Sequence, residues 1–346
     1  MCGSALSNGG GVVAVTRNYL EYKKWGNIEI EYVVTHVNGS AIKKILKFIQ
    51  AYFYIINQLI RGKVDIFHLH VCDGGPFYRK SIILFTAKFF NKKVILHHHT
   101  DYSEFFASIY GVREKMVKKA LQEADLNIVL GNNLVPVISN YEPEAKVEVV
   151  YNAVKQVGEY RYNEEVDTIL FLGWILERKG VFDFLEAVKS IDAELPENTK
   201  VALCGFVDDA ALKRIHNIGL DNRISHLGWI EGEKKEILLR QTIVNVLPSY
   251  REGLPMTVLE TMALGIPNIV SNISTIPEVI QNAENGLLIE PGNIQEIADC
   301  IRKLVLDIDF RRKLSINSYN TIKNRFEVNS HIEEIKLIYN KLVKEH

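Results

Sequence analysis

Short β-branched runs alternate with longer stretches of helical spacing along almost the whole chain. "IEIEYVVTHV" (28–37), "VDIFHLHV" (64–71), "KKVILHHHT" (92–100), "ADLNIVLG" (124–131) and "KVEVVYN" (146–152) read as strands. Between them "GVVAVTRNYLEYKK" and "SAIKKILKFIQAYFYIINQLIRG" carry apolar residues at helical spacing. Alternation of this kind predicts a parallel sheet with helices on both faces. The polar stretch "VGEYRYNEEVD" (157–167) breaks the rhythm and reads as a linker. The pattern resumes with "TILFLG" (168–173), "KVALCG" (200–205), "ISHLGW" (224–229), "IVNVLPS" (243–249), "PNIVSN" (267–272) and "GLLIEPG" (286–292). The expected organisation is therefore two doubly wound α/β domains, 1–160 and 161–328. A closing helix, 329–346, is expected to pack back on the first domain. Ligands of such sheets sit at the carboxyl ends of the strands, so a shared site is expected where the two domains face each other across a cleft.

One element departs from this scheme. Only "MCGSAL" precedes the glycine-rich "SNGGG", so the first strand reads as truncated. The preferred expectation is a true start further upstream; the other is a sheet lacking an element that is usually central.

Composition bounds the function. With 346 residues, 47% hydrophobic and 24% charged, the chain suits two globular domains. No run approaches the roughly 18 uncharged apolar residues of a membrane span, and the start lacks the pattern of a signal peptide. Cys2, Cys72, Cys204 and Cys300 are scattered singly, without a CxxC pair, which fits reduced thiols and a cytoplasmic protein. The net charge of −1 hides an asymmetry: residues 1–160 hold 19 Lys/Arg against 14 Asp/Glu, the rest 22 against 28. Nothing in that balance calls for nucleic acid, while the basic first half favours an anionic partner or membrane surface.

Candidate chemistry centres on "PSYREGLPMTVLETMALGIP" (248–267). Pro255 suits a helix's first turn and Gly265 its end, predicting a helix from about Pro255 to Leu264. The Gly253–Leu254 turn then faces the helix's N-terminal pole, where free N–H groups and a partial positive charge attract an anion such as a diphosphate. Glu252 stands just outside that helix. Glu260 stands about five residues in, where a carboxylate accepts two hydrogen bonds from a vicinal diol. A diphosphate flanked by two hydroxyl-bearing groups describes a nucleotide sugar, with Glu260 on the ribose and Glu252 on the transferred sugar.

This stretch resembles the Glu-x7-Glu motif of retaining glycosyltransferases with two Rossmann-like domains, the GT-B class, of the GT4 type that builds bacterial polysaccharides and lipid-linked glycans. The resemblance runs over almost the whole chain. "DIFHLH" (65–70) is similar to the family's Asp-hydrophobic-His-hydrophobic-His strand, and "VILHHHTDYSEFF" (94–106) to its His-Gly segment, with Thr100 in place of glycine. "VVYNAV" (149–154) resembles its Asn-Gly-Val turn, with Ala153 for glycine, and "FLGWILERKGVFDFLEAV" (171–188) its phosphate loop, with Trp174 where a second arginine is usual. The resemblance implies that His99 makes a polar contact to the donor sugar and that Gly10 and Gly11 approach the donor phosphate and acceptor. It also implies retention of configuration, with no metal and no cofactor beyond the nucleotide-sugar co-substrate.

Read without the family, Arg178 and Lys179 stand at the mouth of the second sheet, placed to neutralise charge growing on a departing diphosphate. With Met256 and Thr257 supplying amides, and His99 added from the resemblance, Glu252, His99, Lys179 and Arg178 form the candidate catalytic set. Glu260, Gly253, Leu254, Met256 and Thr257, with Gly10 and Gly11 added from the resemblance, form the donor-binding set. His97 and His99 share a strand face and are candidate zinc ligands, but no further histidine cluster is evident in the sequence to complete a metal site. Along 40–63, Ile42, Ile45, Leu46, Ile49, Phe53, Ile56 and Ile60 form a helical stripe near Lys43, Lys44 and Lys47. The favoured expectation buries this stripe against the sheet; the other presents it to a membrane surface.

The expected function is transfer of a sugar, from a UDP-sugar by the frequency of such donors, to a saccharide or lipid-linked saccharide. A non-catalytic nucleotide-sugar sensor and a same-fold epimerase stay open. A dehydrogenase fits poorly, because "SNGGG" lacks the GxGxxG spacing.

Overall fold

The computed structural model describes residues 1–155, 158–160 and 162–344. Two compact units emerge, Met1–Ala153 with Val328–His346, and Val154–Glu327. Within the stretch read as a linker, Val157 and Arg161 lie outside the described residues, as do Glu345 and His346 of the closing helix. Its neighbouring tyrosines are tied down: Tyr160 shares a 2.9 Å hydrogen bond with Ser315, and Tyr162 donates 2.8 Å to the Ile243 carbonyl.

The first unit is a six-stranded parallel sheet of β1 (Cys2–Ser4), β2 (Val33–His36), β3 (Ile66–Val71), β4 (Lys93–His98), β5 (Leu126–Val129) and β6 (Val147–Val149). The strand order is β2-β1-β3-β4-β5-β6. The short first strand occupies the place between β2 and β3, with Cys2 opposite both Val33 and Leu69; the sheet does not lack that element. Strands β3 and β4 are buried along most of their length, as expected of strands covered on both faces.

Helices α1 (Gly11–Glu21), α2 (Ala41–Ile60) and α3 (Gly75–Phe89) follow β1, β2 and β3. The closing helix, Val328–Lys344, packs on this unit through apolar residues such as Ile332 and Ile335, both fully buried. The expected burial of the α2 stripe is corrected here. Only Ala51, Ile55 and Leu59 of α2 are buried, a line repeating every four residues. Ile42, Ile45, Leu46, Ile49, Phe53 and Ile60 are exposed. The helix carries two apolar faces, and the sheet covers the narrower one.

The second unit repeats the architecture with β7 (Thr168–Leu172), β8 (Lys200–Cys204), β9 (Ile224–Gly228), β10 (Thr242–Leu247), β11 (Asn268–Ser271) and β12 (Leu287–Ile289). Its order, β12-β11-β10-β7-β8-β9, is parallel throughout. The chain moves outward from β7 through β8 and β9, then returns to the other side of β7 at β10. Loops leaving β7 and β10 therefore diverge onto opposite faces, opening a crevice at their carboxyl ends. These two loops are the phosphate-loop candidate after Gly173 and the stretch beginning at Pro248.

Candidate active site

The two loops are fastened together. After β7 a short 3-10 turn, Glu177–Lys179, ends at Gly180, which has φ +69° and opens the Val181–Ser190 helix. The Tyr250 amide donates to the Arg178 carbonyl at 2.9 Å. A Cβ on Gly180 would meet the Pro248 carbonyl oxygen at 2.1 Å, so glycine is what lets the loops touch. This contact brings Lys179 onto Glu252: its ammonium pairs with Oε1, which also accepts a 2.7 Å hydrogen bond from the Ser249 hydroxyl. Both side chains of the ion pair are largely buried, at 16% and 8% exposure, so the pair is only weakly screened by solvent.

The helix after the Gly-Leu-Pro turn runs Met256–Ala263, with Pro255 in extended conformation at the N-cap rather than inside the first turn. The amides of Met256 and Thr257 open it without an acceptor among the described residues, as first-turn donors do. Gly253 and Leu254 are buried, and the Gly253 carbonyl accepts from the Thr275 hydroxyl at 2.8 Å. This fixes the turn ahead of the helix. Glu260 is half-buried and pairs with Lys235 at 2.7 Å, leaving its second oxygen for another donor. Arg178 is exposed, with no ion pair among the described residues.

Sequence reasoning singled out Trp174, as a residue able to stack on part of the donor, but missed Lys235 and the two aromatics beside that position. Trp174, Phe206 and Trp229 are each about half exposed and stand just past the ends of β7, β8 and β9. The Trp174 and Phe206 rings lie 5.8 Å apart at 47°. The signal was present: Leu172-Gly173-Trp174, Cys204-Gly205-Phe206 and Leu227-Gly228-Trp229 each end a strand with glycine and then an aromatic. Gly205 again permits close approach, since a Cβ there would sit 1.8 Å from the Gly173 carbonyl oxygen.

Gly10, Gly11 and His99 belong to the first unit, at the carboxyl ends of β1 and β4. Gly10 has φ +91° and caps α1, and both glycines are exposed. His99 is buried, and its Nε2 pairs with His70 Nδ1 at 2.9 Å. Burial pushes its pKa down to about 3, so the ring is neutral.

His99 is part of a larger assembly than the sequence suggested. The β3–β4 register sets His70 opposite His97, so His68, His70, His97 and His99 fall on one face. His68 Nε2 pairs with His97 Nδ1 at 3.0 Å, and His68 Nδ1 with the Tyr339 hydroxyl at 2.6 Å. Nitrogens of His68, His70 and His97 lie within 4.8 Å of one another. The expectation that no histidine cluster forms is corrected: strand pairing supplies one. It consists of imidazoles alone, without a carboxylate or thiolate to balance a buried dication, and its close contacts are the hydrogen bonds just described. His70 Nε2 and His97 Nε2 are buried without a partner among the described residues.

The two-sheet architecture is the GT-B fold. It is shared with sucrose-phosphate synthase from Thermosynechococcus elongatus (TM-score 0.77, 17% identity, 92% of this chain and 86% of that one). Anabaena Alr3699/HepE, solved in complex with UDP-glucose, is also similar (TM-score 0.72, 16% identity, 90% and 86%). Within that class, residues 155–321 match the family described as Glycosyl transferases group 1. An uncharacterized glycosyltransferase of Methanocaldococcus jannaschii is 29% identical over 339 residues, 93% of this chain and 89% of that protein. A second from the same organism is 25% identical over 215 residues, 57% and 54% of the two chains. The UDP-Gal:alpha-D-GlcNAc-diphosphoundecaprenol alpha-1,3-galactosyltransferase of Escherichia coli is 29% identical over 174 residues, 49% and 44%. The family match lies within the second unit, and the chain is similar at 25–29% identity to proteins named as glycosyltransferases.

Proposed function

We propose that the protein transfers a sugar from a UDP-sugar to a saccharide or lipid-linked saccharide, with retention of anomeric configuration and without a divalent metal. The observation that carries this reading is the Lys179–Glu252 pair at the β7/β10 crevice, beside the open amides of Met256 and Thr257. Lys179, Arg178 and those amides neutralise the leaving diphosphate. The free oxygen of Glu260 takes the ribose hydroxyls, and the exposed faces of Trp174 and Phe206 offer a platform for the base. The UDP choice draws on the E. coli relative named for UDP-Gal and on the UDP-glucose complex of the Anabaena protein. The lipid-linked acceptor draws on the same relative's diphosphoundecaprenol substrate.

Glu252 is poorly suited to act as a nucleophile, because Oε1 already accepts from both Lys179 and Ser249. This supports same-face attack: the sugar–phosphate C–O bond breaks as the acceptor oxygen bonds the same face. The acceptor proton passes to the departing diphosphate. The test is a thermal-shift screen with UDP-, GDP- and ADP-sugars, followed by NMR of the product anomer. Stabilisation by a UDP-sugar and a product of unchanged configuration are expected. Preference for another base would overturn the donor assignment, and an inverted product the mechanism.

A further inference from the structure

Helix α2 has three sectors. At about 100° per residue, Ala51, Ile55 and Leu59 form the buried line that packs inward. The stripe of Ile42, Ile45, Leu46, Ile49, Phe53 and Ile60 falls within about 100° of arc on a different side. It points to solvent, with Ile42 71%, Phe53 67% and Ile60 69% exposed. Lys43, Lys47 and Arg61 occupy the third sector, with Gln50 and Asn57 between them and the stripe. The neighbouring helix extends the apolar surface on the other flank. Tyr52 of α2 shares a 2.7 Å hydrogen bond with Thr86 of α3, and Ile82 and Phe89, on the Thr86 face of α3, are exposed, Phe89 at 82%. An apolar surface of this extent marks a contact site.

Charge decides what covers it. Residues 32–64 contain five Lys/Arg, at 43, 44, 47, 61 and 63, and no Asp or Glu; residues 74–100 likewise contain no Asp or Glu. The carboxylates bounding that stretch are Glu31, which takes the Tyr54 hydroxyl on the polar side, and the exposed Asp65, two residues past Lys63. A helix with an apolar stripe, a basic flank and no acids matches the boundary of an anionic bilayer, where apolar side chains enter the acyl region and lysine heads meet phosphates. No helix among the described residues is long and apolar enough to cross a membrane, so the contact lies along the surface.

We propose that the exposed face of α2, extended by Ile82 and Phe89, seats the first unit on a bilayer rich in anionic phospholipid. This inference stands apart from the transfer reaction, since binding is read on the chain without nucleotide. The experiment is flotation of the full chain with vesicles of phosphatidylglycerol and phosphatidylcholine, against phosphatidylcholine alone, at low and high salt. Binding to the anionic vesicles, weakened by salt, is expected. The triple change Lys43→Glu, Lys47→Glu and Arg61→Glu, which reverses the basic sector, should lower affinity roughly 100-fold or more. The pair Leu46→Asp and Phe53→Asp should abolish binding at either salt concentration. Leu46, Phe53, Lys43 and Arg61 are exposed, and the half-buried Lys47 bonds its ammonium to the exposed Gln50, so the melting temperature should hold within a few degrees in both variants. Absent binding to anionic vesicles, or binding unchanged in both variants, overturns the proposal. So does concentration-dependent self-association that Leu46→Asp removes without any lipid binding, which would make the face a contact between two copies of the chain.

Discussion

Lys179 and Glu252, 73 positions apart in the chain, form a largely buried ion pair at the mouth of the second sheet. Removing either partner leaves the other charged and under-solvated, so the two should behave as a unit. Lys179→Ala and Glu252→Ala are each expected to lower kcat about 100-fold or more, the scale of losing one stabiliser of developing charge. The double variant should fall only a few-fold below the worse single one, since coupled residues are strongly non-additive. Steady-state kinetics on the four proteins measure this. Multiplying losses would show that the two act independently.

Glu260 and Lys235 make the second carboxylate–lysine pair, at 2.7 Å. The donor-binding role proposed for Glu260 predicts a split between parameters. Glu260→Ala should raise the donor's Kd roughly 10- to 100-fold, the usual cost of hydrogen bonds to a charged group, with kcat at saturating donor changed only a few-fold. Lys235→Met should cost less, because the carboxylate keeps both oxygens for the ligand. Isothermal titration with the nucleotide sugar reads both. A Glu260→Ala variant with unchanged Kd and collapsed kcat would move this residue into the chemistry.

Gly180 joins the two site loops through backbone alone. Alanine there meets both a left-handed φ of +69° and a carbonyl oxygen at 2.1 Å, and a strained non-glycine position costs of order 1–3 kcal/mol before the clash. Gly180→Ala should therefore lower the melting temperature by several degrees and displace Lys179 from Glu252. Activity should fall by an amount comparable to that of Lys179→Ala. Gly62→Ala is the control: it has a similar φ of +66° but nothing within 4 Å, so it should lose stability without losing turnover.

What the sequence disclosed follows from what is local. The central strands were legible because segments such as Thr168–Leu172 and Thr242–Leu247 are buried along their whole length and read as largely apolar runs. The helix after Pro255 was legible because a proline start and Gly265, at φ +75°, bracket it. Pairings across the fold were not. Nothing in "HLH" or "HHH" reveals a register that sets His70 against His97, and nothing distinguishes Lys235 from Lys234 until the Gly232–Arg240 helix is placed beside Glu260. The α2 stripe was visible as a period but not as a surface, because the helix offers two apolar lines and periodicity does not say which one the sheet takes.

The histidine assembly makes the first unit sensitive to acid. Burial holds His68, His70 and His97 well below the ordinary imidazole range. It also pushes His98 and His331 to about 4 and His99 to about 3. Above pH 6.5 these rings are neutral both folded and unfolded, and titration contributes nothing. As pH falls through 6.5 the unfolded chain takes up protons that the folded one refuses, so stability is lost towards acid until the folded pKa values are reached. Each ring contributes up to about 1.4 kcal/mol per pH unit, and six together up to about 8. Against a domain stability of roughly 5–15 kcal/mol, this places acid unfolding of the first unit at about pH 5 to 6. Trp25 reports it directly, because it stacks between Tyr19 and Tyr339 beside the cluster. Its fluorescence should change in a steep transition in that window, and His331→Gln should make the transition shallower by removing one titrating ring. A first unit that stays folded at pH 4 would mean that the cluster accepts protons without opening and is not a neutral network.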